Sequence, residues 1–219
     1  MHTYEKYEHI HDQVQPGDIF AFGGTSPFSK WTKLTTQSAV THVAMVLHVD
    51  VHRTGSAGPF HLLIEATHYK ERKGVMTNSA IERITSYDGD VWWLPLHSDA
   101  RQQLEENRQR FIKFMFDQKG KKYDIAQLFG AAVDFSDDWP WLGGLSYNEQ
   151  CEKRWFCSEL IAQGLEVAGV VGKVNAAEVT PRDICQFSIF DKRYVQVKGD
   201  ETPIDGFNSL NPDNWGFIK

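Results

Sequence analysis

Two neighbouring stretches constrain the fold of this chain more than any other. From Thr41 to Val49 the sequence alternates, with Val43, Met45, Leu47 and Val49 on one side and His42, Ala44, Val46 and His48 on the other. Successive side chains of a strand point to opposite faces, so this segment reads as a strand with two working faces. A glycine-containing loop, Arg53 to Pro59, separates it from a second alternating run, Phe60 to Thr67. There Leu62, Ile64 and Ala66 share one face, and His61, Leu63 and Glu65 share the other. If the two strands pair as a hairpin, matching apolar face to apolar face, one permitted register sets Ala44 opposite Leu63 and His42 opposite Glu65. Opposed Cβ atoms lie about 4.5–5.5 Å apart, within reach of an imidazole–carboxylate hydrogen bond. A carboxylate among apolar neighbours needs a partner, and a histidine that interrupts an apolar strand is a matching anomaly.

The remaining pattern mixes helices and strands. The turn Gln15-Pro16-Gly17-Asp18 introduces a short strand, Ile19 to Phe22, which Gly23-Gly24 ends. Ser26-Pro27 opens a short helix through Phe28, Trp31 and Leu34. Lys70 to Asp90 is polar and irregular, and Val91 to Leu94 is a third strand candidate closed by Pro95. Ser98-Asp99 caps a long helix through Leu104, Phe111 and Met115 that Gly120 ends, and Ile125 to Val133 reads as another short helix. Thr180 with Pro181 marks a further helix start, and Tyr194 to Val197 a last strand before a tail of Gly, Pro and Asn. The first dozen residues, with His2, His9 and His11, read as a solvated lead-in, because no acidic or cysteine partner stands at metal-ligand spacing.

Composition narrows the function. With 219 residues, 41% of them hydrophobic, the chain can bury a substantial core, and no shift in composition marks an internal boundary, so one domain over residues 1–219 is expected. A net charge of −6, with Lys and Arg scattered, argues against a nucleic-acid partner. No apolar run is long enough to span a bilayer, and the polar first residues do not open a secretory signal. Synthesis into the cytoplasm is expected, with any export by another route. Three cysteines cannot all pair, which fits a reducing compartment.

One cysteine stands apart. In Arg154-Trp155-Phe156-Cys157-Ser158-Glu159-Leu160-Ile161 the residues Cys157, Leu160, Ile161, Gly164, Leu165 and Ala168 recur at helical spacing, and Gly169 supplies a stop. Cys157 therefore reads as the start of a helix, where the macrodipole and free N–H groups favour thiolate. An isolated cysteine is more often a small buried hydrophobe. A nucleophilic thiol, however, needs a base and a group that orients the base, and His42 and Glu65 supply both. His48 and His61 are weaker rivals for the base.

Taken in order, Gly17-Asp18-Ile19, Thr41-His42-Val43-Ala44-Met45-Val46, Ile64-Glu65-Ala66, Tyr123-Asp124, Phe156-Cys157-Ser158-Glu159-Leu160 and Thr180-Pro181-Arg182-Asp183 form a series. This series resembles the circularly permuted papain-like cysteine hydrolases, the permuted branch of the NlpC-type peptidase superfamily that also holds the lecithin:retinol acyltransferase-like proteins. The resemblance covers about residues 17–183 and has histidine before cysteine, as that branch does. It implies an α+β, permuted papain-like fold, with a small antiparallel sheet or partial barrel packed against the helix that bears the nucleophilic cysteine. It also implies a catalytic set of Cys157, His42 and Glu65, with the backbone N–H of Cys157 as one oxyanion donor and no cofactor or metal. The expected reaction is amide hydrolysis on a peptide or on the stem peptide of bacterial cell wall. Lipid acyl transfer or thioester cleavage by the same triad is the alternative, and a non-catalytic binding module a third. Tyr123, Trp139 and Trp141, the last two in the irregular segment from Asp134 to Gln150, are candidate substrate-binding residues. The oligomeric state is left open.

Overall fold

The computed structural model describes residues 1–26, 37–50, 59–121 and 149–217 together with positions 29, 33 and 34, the side chains of 149–156 excepted. Among the described residues seven strands form one mixed sheet: β1 (His2–Tyr4), β2 (Ile19–Gly24), β3 (His42–Asp50), β4 (Phe60–Tyr69), β5 (Arg72–Ser79), β6 (Gly89–Leu94) and β7 (Tyr194–Lys198). Their spatial order is β1-β7-β6-β2-β3-β4-β5. Among these seven strands the β1–β7 pair alone is parallel. The α-helices whose bounds the described residues give are α1 (Tyr7–Ile10), α2 (Ala80–Ser86), α3 (Ser98–Glu106), α4 (Arg108–Gln118), α5 (Glu149–Val167) and α6 (Pro181–Gln186). The class is α+β, as the sequence implies.

The alternation in β3 and β4 resolves into two cores. Val43, Met45, Leu47, Ile64 and Ala66 join Leu160, Ile161 and Leu165 of α5 and Phe111 and Met115 of α4 in one cluster. Ala44, Val46 and Leu63 join Phe20, Phe22 and Trp93 with Tyr7, Ile10 and Val14 in the other. The N-terminal residues are thus no solvated lead-in. β1 adds a strand to the sheet edge, and α1 buries Tyr7 and Ile10 on the second face. Each makes one local element too short to be read from periodicity, and long-range burial holds it in place.

The hairpin register also departs from expectation. Met45 pairs with Ile64 and Val46 with Leu63, two residues away from the pairing of Ala44 with Leu63, and the register shifts again between Val46 and His48. A displacement of two keeps every side chain on its face, because the side-chain period is two. His42 and Glu65 therefore still share a face, as diagonal neighbours, which long side chains can bridge.

Two further boundaries are corrected. The long helix from Ser98 breaks at Asn107, which leaves helical geometry at φ −105 and ψ 12. Its N-cap is His97, whose ring Nδ1 accepts from the backbone N–H groups of Asp99 and Ala100. The tail after β7 has no period, yet it packs. Trp92 Nε1 donates to Thr202 O at 2.9 Å, and Ile204 is buried with its N–H on the Tyr194 hydroxyl. The Thr180–Pro181 start is as expected, with a full capping box between Thr180 and Asp183. The expected helices from Ser26 and over Ile125 to Val133 fall largely or wholly outside the described residues.

Gly17 and Asp18 tie β3 to its surroundings. Gly17 N donates to Val46 O, and Val46 N donates to Asp18 O, each at 2.8 Å. The Asp18 carboxylate is fully buried and accepts from Arg101 Nη2 at 2.7 Å, Trp93 Nε1 at 2.9 Å, Leu96 N at 3.0 Å and Gln15 N at 2.9 Å. It is a structural charge with its acceptor capacity filled.

Candidate functional site

His42 is the first residue of β3, and Glu65 lies in the middle of β4. The start of β3 is anchored by Thr41, whose N–H donates to Phe22 O at 2.8 Å and whose hydroxyl accepts from Gly24 N at 3.3 Å. The His42 ring packs against Phe22 with centroids 5.5 Å apart. Its Nε2 meets Glu65 Oε2 at 2.7 Å. The ring also shares a hydrogen bond with Cys157 of α5. Since Nε2 is engaged by Glu65, Nδ1 is the nitrogen left for the thiol. The structure thus brings the three residues together in one hydrogen-bonded line, Cys157 to His42 to Glu65.

Glu65 is held by more than the histidine. Its side chain has 0% exposure, and its two oxygens accept from four donors. Oε1 takes Asn78 Nδ2 at 2.8 Å and Arg83 Nε at 2.6 Å, while Oε2 takes His42 Nε2 and Arg83 Nη2 at 2.9 Å. Asn78 belongs to β5 and lies diagonally across from Glu65, whose direct partner there is Met76. Strands on both sides of β4 therefore reach Glu65 along the same face. Asn78 is itself fixed by Arg72 Nη2, which donates to its Oδ1 at 3.1 Å. Arg83 comes from the inner side of α2, where Ala80, Arg83 and Ile84 are buried at helical spacing. Its guanidinium lies over Tyr69, Phe22 and Tyr87, 4.6, 5.3 and 5.7 Å from the ring centroids. The C-terminal end of α2 is held by Lys198, whose Nζ donates to the carbonyls of Ile84, Thr85 and Tyr87 at 3.0, 2.8 and 2.6 Å.

These contacts set the protonation states. Burial alone would lower the His42 pKa, but the charge and hydrogen bond of Cys157, followed by those of Glu65, raise it to about 9. Burial alone would raise Glu65, but the hydrogen bonds and charges of His42 and Arg83 draw it down to about 2. An imidazole that binds a proton this firmly beside a thiol is suited to take the thiol's proton.

The rival histidines have other roles. His48 is exposed. His61 is buried on the second face, its Nδ1 2.7 Å from the Tyr7 hydroxyl, and burial lowers its pKa to about 4. Cys185 is also buried, and burial pushes its pKa well up. Cys151 lies in α5 with its side chain outside the described residues, as Tyr123, Trp139 and Trp141 are altogether.

One premise of the sequence reading is overturned. Helix α5 begins at Glu149, so Cys157 lies in its interior rather than at its start. At 1.5 Å per residue the thiol sits about 12 Å past the helix N-terminus, and the dipole's influence is confined to the first turn. A residue at that depth also has its N–H committed to the carbonyl four residues back, so the expected oxyanion donor is lost. Ser158 is buried and donates to Val179 O at 2.5 Å, linking α5 to the segment before α6. What acts on the thiol is therefore the His42 ring and not the helix end.

Sequence reasoning missed Asn78, Arg83 and Arg72. The signal available was an arginine at an inward position, three residues after Ala80 and one before Ile84. Among the described residues no group of three or more His, Cys, Asp or Glu could hold a metal ion, and no helix is long and apolar enough to cross a membrane. No protein-family model matches this chain, and no curated protein matches it at a significant level.

Proposed function

We propose that this protein is a cysteine hydrolase of permuted papain-like type that cleaves an amide bond in a peptide, the stem peptide of bacterial cell wall being the leading substrate class. The observation that carries the reading is the line from Cys157 through His42 to a fully ionised, fully buried Glu65. In the reaction, His42 Nδ1 takes the thiol proton, and the sulfur then attacks the carbonyl carbon. The tetrahedral intermediate collapses as the imidazolium returns that proton to the leaving amine, and water then hydrolyses the acyl-enzyme with His42 again as base. Glu65 holds the ring in place through Nε2.

The test is incubation of the protein and its Cys157→Ala control with stem peptides, unstructured peptides, phospholipids and acyl thioesters, with products identified by mass. Peptide cleavage that depends on Cys157 is expected. Fatty-acid release or transfer with no peptide cleavage would replace the amide reading with acyl-lipid chemistry, and peptide cleavage undiminished in the Cys157→Ala control would remove the nucleophile.

A further inference from the structure

We propose that Arg83 is a positioning residue that decides which nitrogen of His42 faces the thiol: by keeping Glu65 a pure acceptor, it fixes the neutral ring's proton on Nε2 and leaves Nδ1 bare toward Cys157. The inference rests on the reading of Cys157 and His42 as nucleophile and base.

The argument starts from acceptor capacity. A carboxylate offers about four lone-pair sites, and Glu65 fills them with Asn78 Nδ2, Arg83 Nε, Arg83 Nη2 and His42 Nε2. No site remains for a proton, so the group shared with His42 is Nε2–H donating to Oε2. Two of the four donors are Arg83's, and Arg83 carries the one permanent positive charge among them. Take it away and the fully buried carboxyl binds a proton from solvent, because burial disfavours the charged form. The carboxylic O–H then has Nε2 as an acceptor 2.7 Å away. Once Nε2 accepts, a neutral ring must carry its hydrogen on Nδ1, and a donor faces the thiol instead of a base.

The placement of Arg83 serves this end. It occupies an inward position of α2 between apolar Ala80 and Ile84, with three aromatic rings around the guanidinium. A purely structural pair at such a place can often be exchanged for well-packed apolar groups without loss of stability. The two-pronged contact, one nitrogen to each carboxylate oxygen, is the arrangement that blocks protonation of either oxygen.

The experiment uses full-length protein labelled with nitrogen-15 and reads the ring tautomer by long-range proton–nitrogen correlation. A Cys157→Ala background ensures that no thiolate holds a second proton on the ring. With Arg83 present, the neutral His42 ring is expected protonated on Nε2, and in Arg83→Gln on Nδ1. Arg83→Lys keeps the charge and is expected to keep the Nε2 proton. In parallel, with Cys157 present, alkylation of its thiol is followed against pH. Arg83→Gln should slow it about 100-fold or more at neutral pH, the scale of a lost general base. The rate should then recover at alkaline pH, along an ionisation that the parent lacks, as Glu65 loses its proton. An Nε2-protonated ring in Arg83→Gln with the parent's alkylation profile would overturn the inference. So would an Nδ1-protonated ring in Arg83→Lys, which covers the case in which the glutamine variant does not fold. Absence of peptide cleavage on every substrate would sink the hydrolase reading and leave these two readouts standing.

Discussion

Replacing Glu65 by glutamine tests the site's electrostatics most directly, because the substitution exchanges one oxygen for an NH2 group and little else. Whichever carboxylate position the NH2 takes, it meets donors. At Oε1 it faces Asn78 Nδ2 and Arg83 Nε, and at Oε2 it faces His42 Nε2 and Arg83 Nη2. In both orientations the guanidinium, 5% exposed as a residue, loses its counter-charge. Removing one partner of a buried ion pair typically costs about 3–5 kcal/mol, since the remaining charge stays desolvated and uncompensated. For a chain of this size, about 2–4 °C in Tm corresponds to each kcal/mol, so Glu65→Gln should melt roughly 6–20 °C lower. Urea denaturation at pH 7 with linear extrapolation gives the free energy. The Arg83→Met variant and the double variant complete a thermodynamic cycle. The double variant should be more stable than the sum of the two losses predicts by at least about 1 kcal/mol, because it no longer strands a cation. A loss under about 1 kcal/mol for Glu65→Gln, or additive single effects, would refute the account of a charge pair holding the site.

Three further outcomes follow from the same contacts. Stability against pH should peak near 6.5. The folded His42 pKa of about 9 lies above the usual 6.5, so its contribution is whole below 6.5 and lost as pH rises through 9. His61, near 4, and Glu65, near 2, lie below their usual 6.5 and 4.5 and lose theirs as pH falls from those values. Chemical denaturation across pH measures this, and His42→Ala should flatten the alkaline limb and also weaken the part of the acid limb that Glu65 supplies, since His42 helps hold that carboxyl low. Iodoacetamide should label Cys157 before Cys185, whose thiol burial holds protonated, and His42→Ala should slow the Cys157 reaction; peptide mass mapping reads both, and preferential labelling of Cys185 would count against the nucleophile. Lys198→Met removes three charge-assisted bonds to the end of α2 and should cost about 1–3 kcal/mol by thermal or urea unfolding, whereas an unchanged midpoint would show that α2 is held by packing alone.

Much of this protein was determined locally. The two alternating runs set which side chains of β3 and β4 share a face, and that parity alone puts His42 with Glu65, because a period of two survives any even displacement. Thr180 and Pro181 announce α6 through capping chemistry that acts within one turn, and the stripe from Leu160 to Ala168 marks the helix that fills the first core. Only the tertiary structure decided the rest. The actual register is set by packing on both sides of the sheet and by the irregularity at Val46 to His48. The β4–β5 hairpin turns at Lys70 and Glu71, both at positive φ (48° and 62°), without the glycine or asparagine that usually signals such a turn. The residues behind Glu65, Asn78 on β5 and Arg83 on α2, were hidden with it. The start of α5 was misplaced because the apolar stripe begins at Cys157 while the helix does not. Periodicity reports which face of an element is buried, and it is silent on where a helix begins when its first turns lack that stripe. It is equally silent on which buried charge will find which counter-charge, since partners such as Arg83 and Glu65 meet only once the chain has folded.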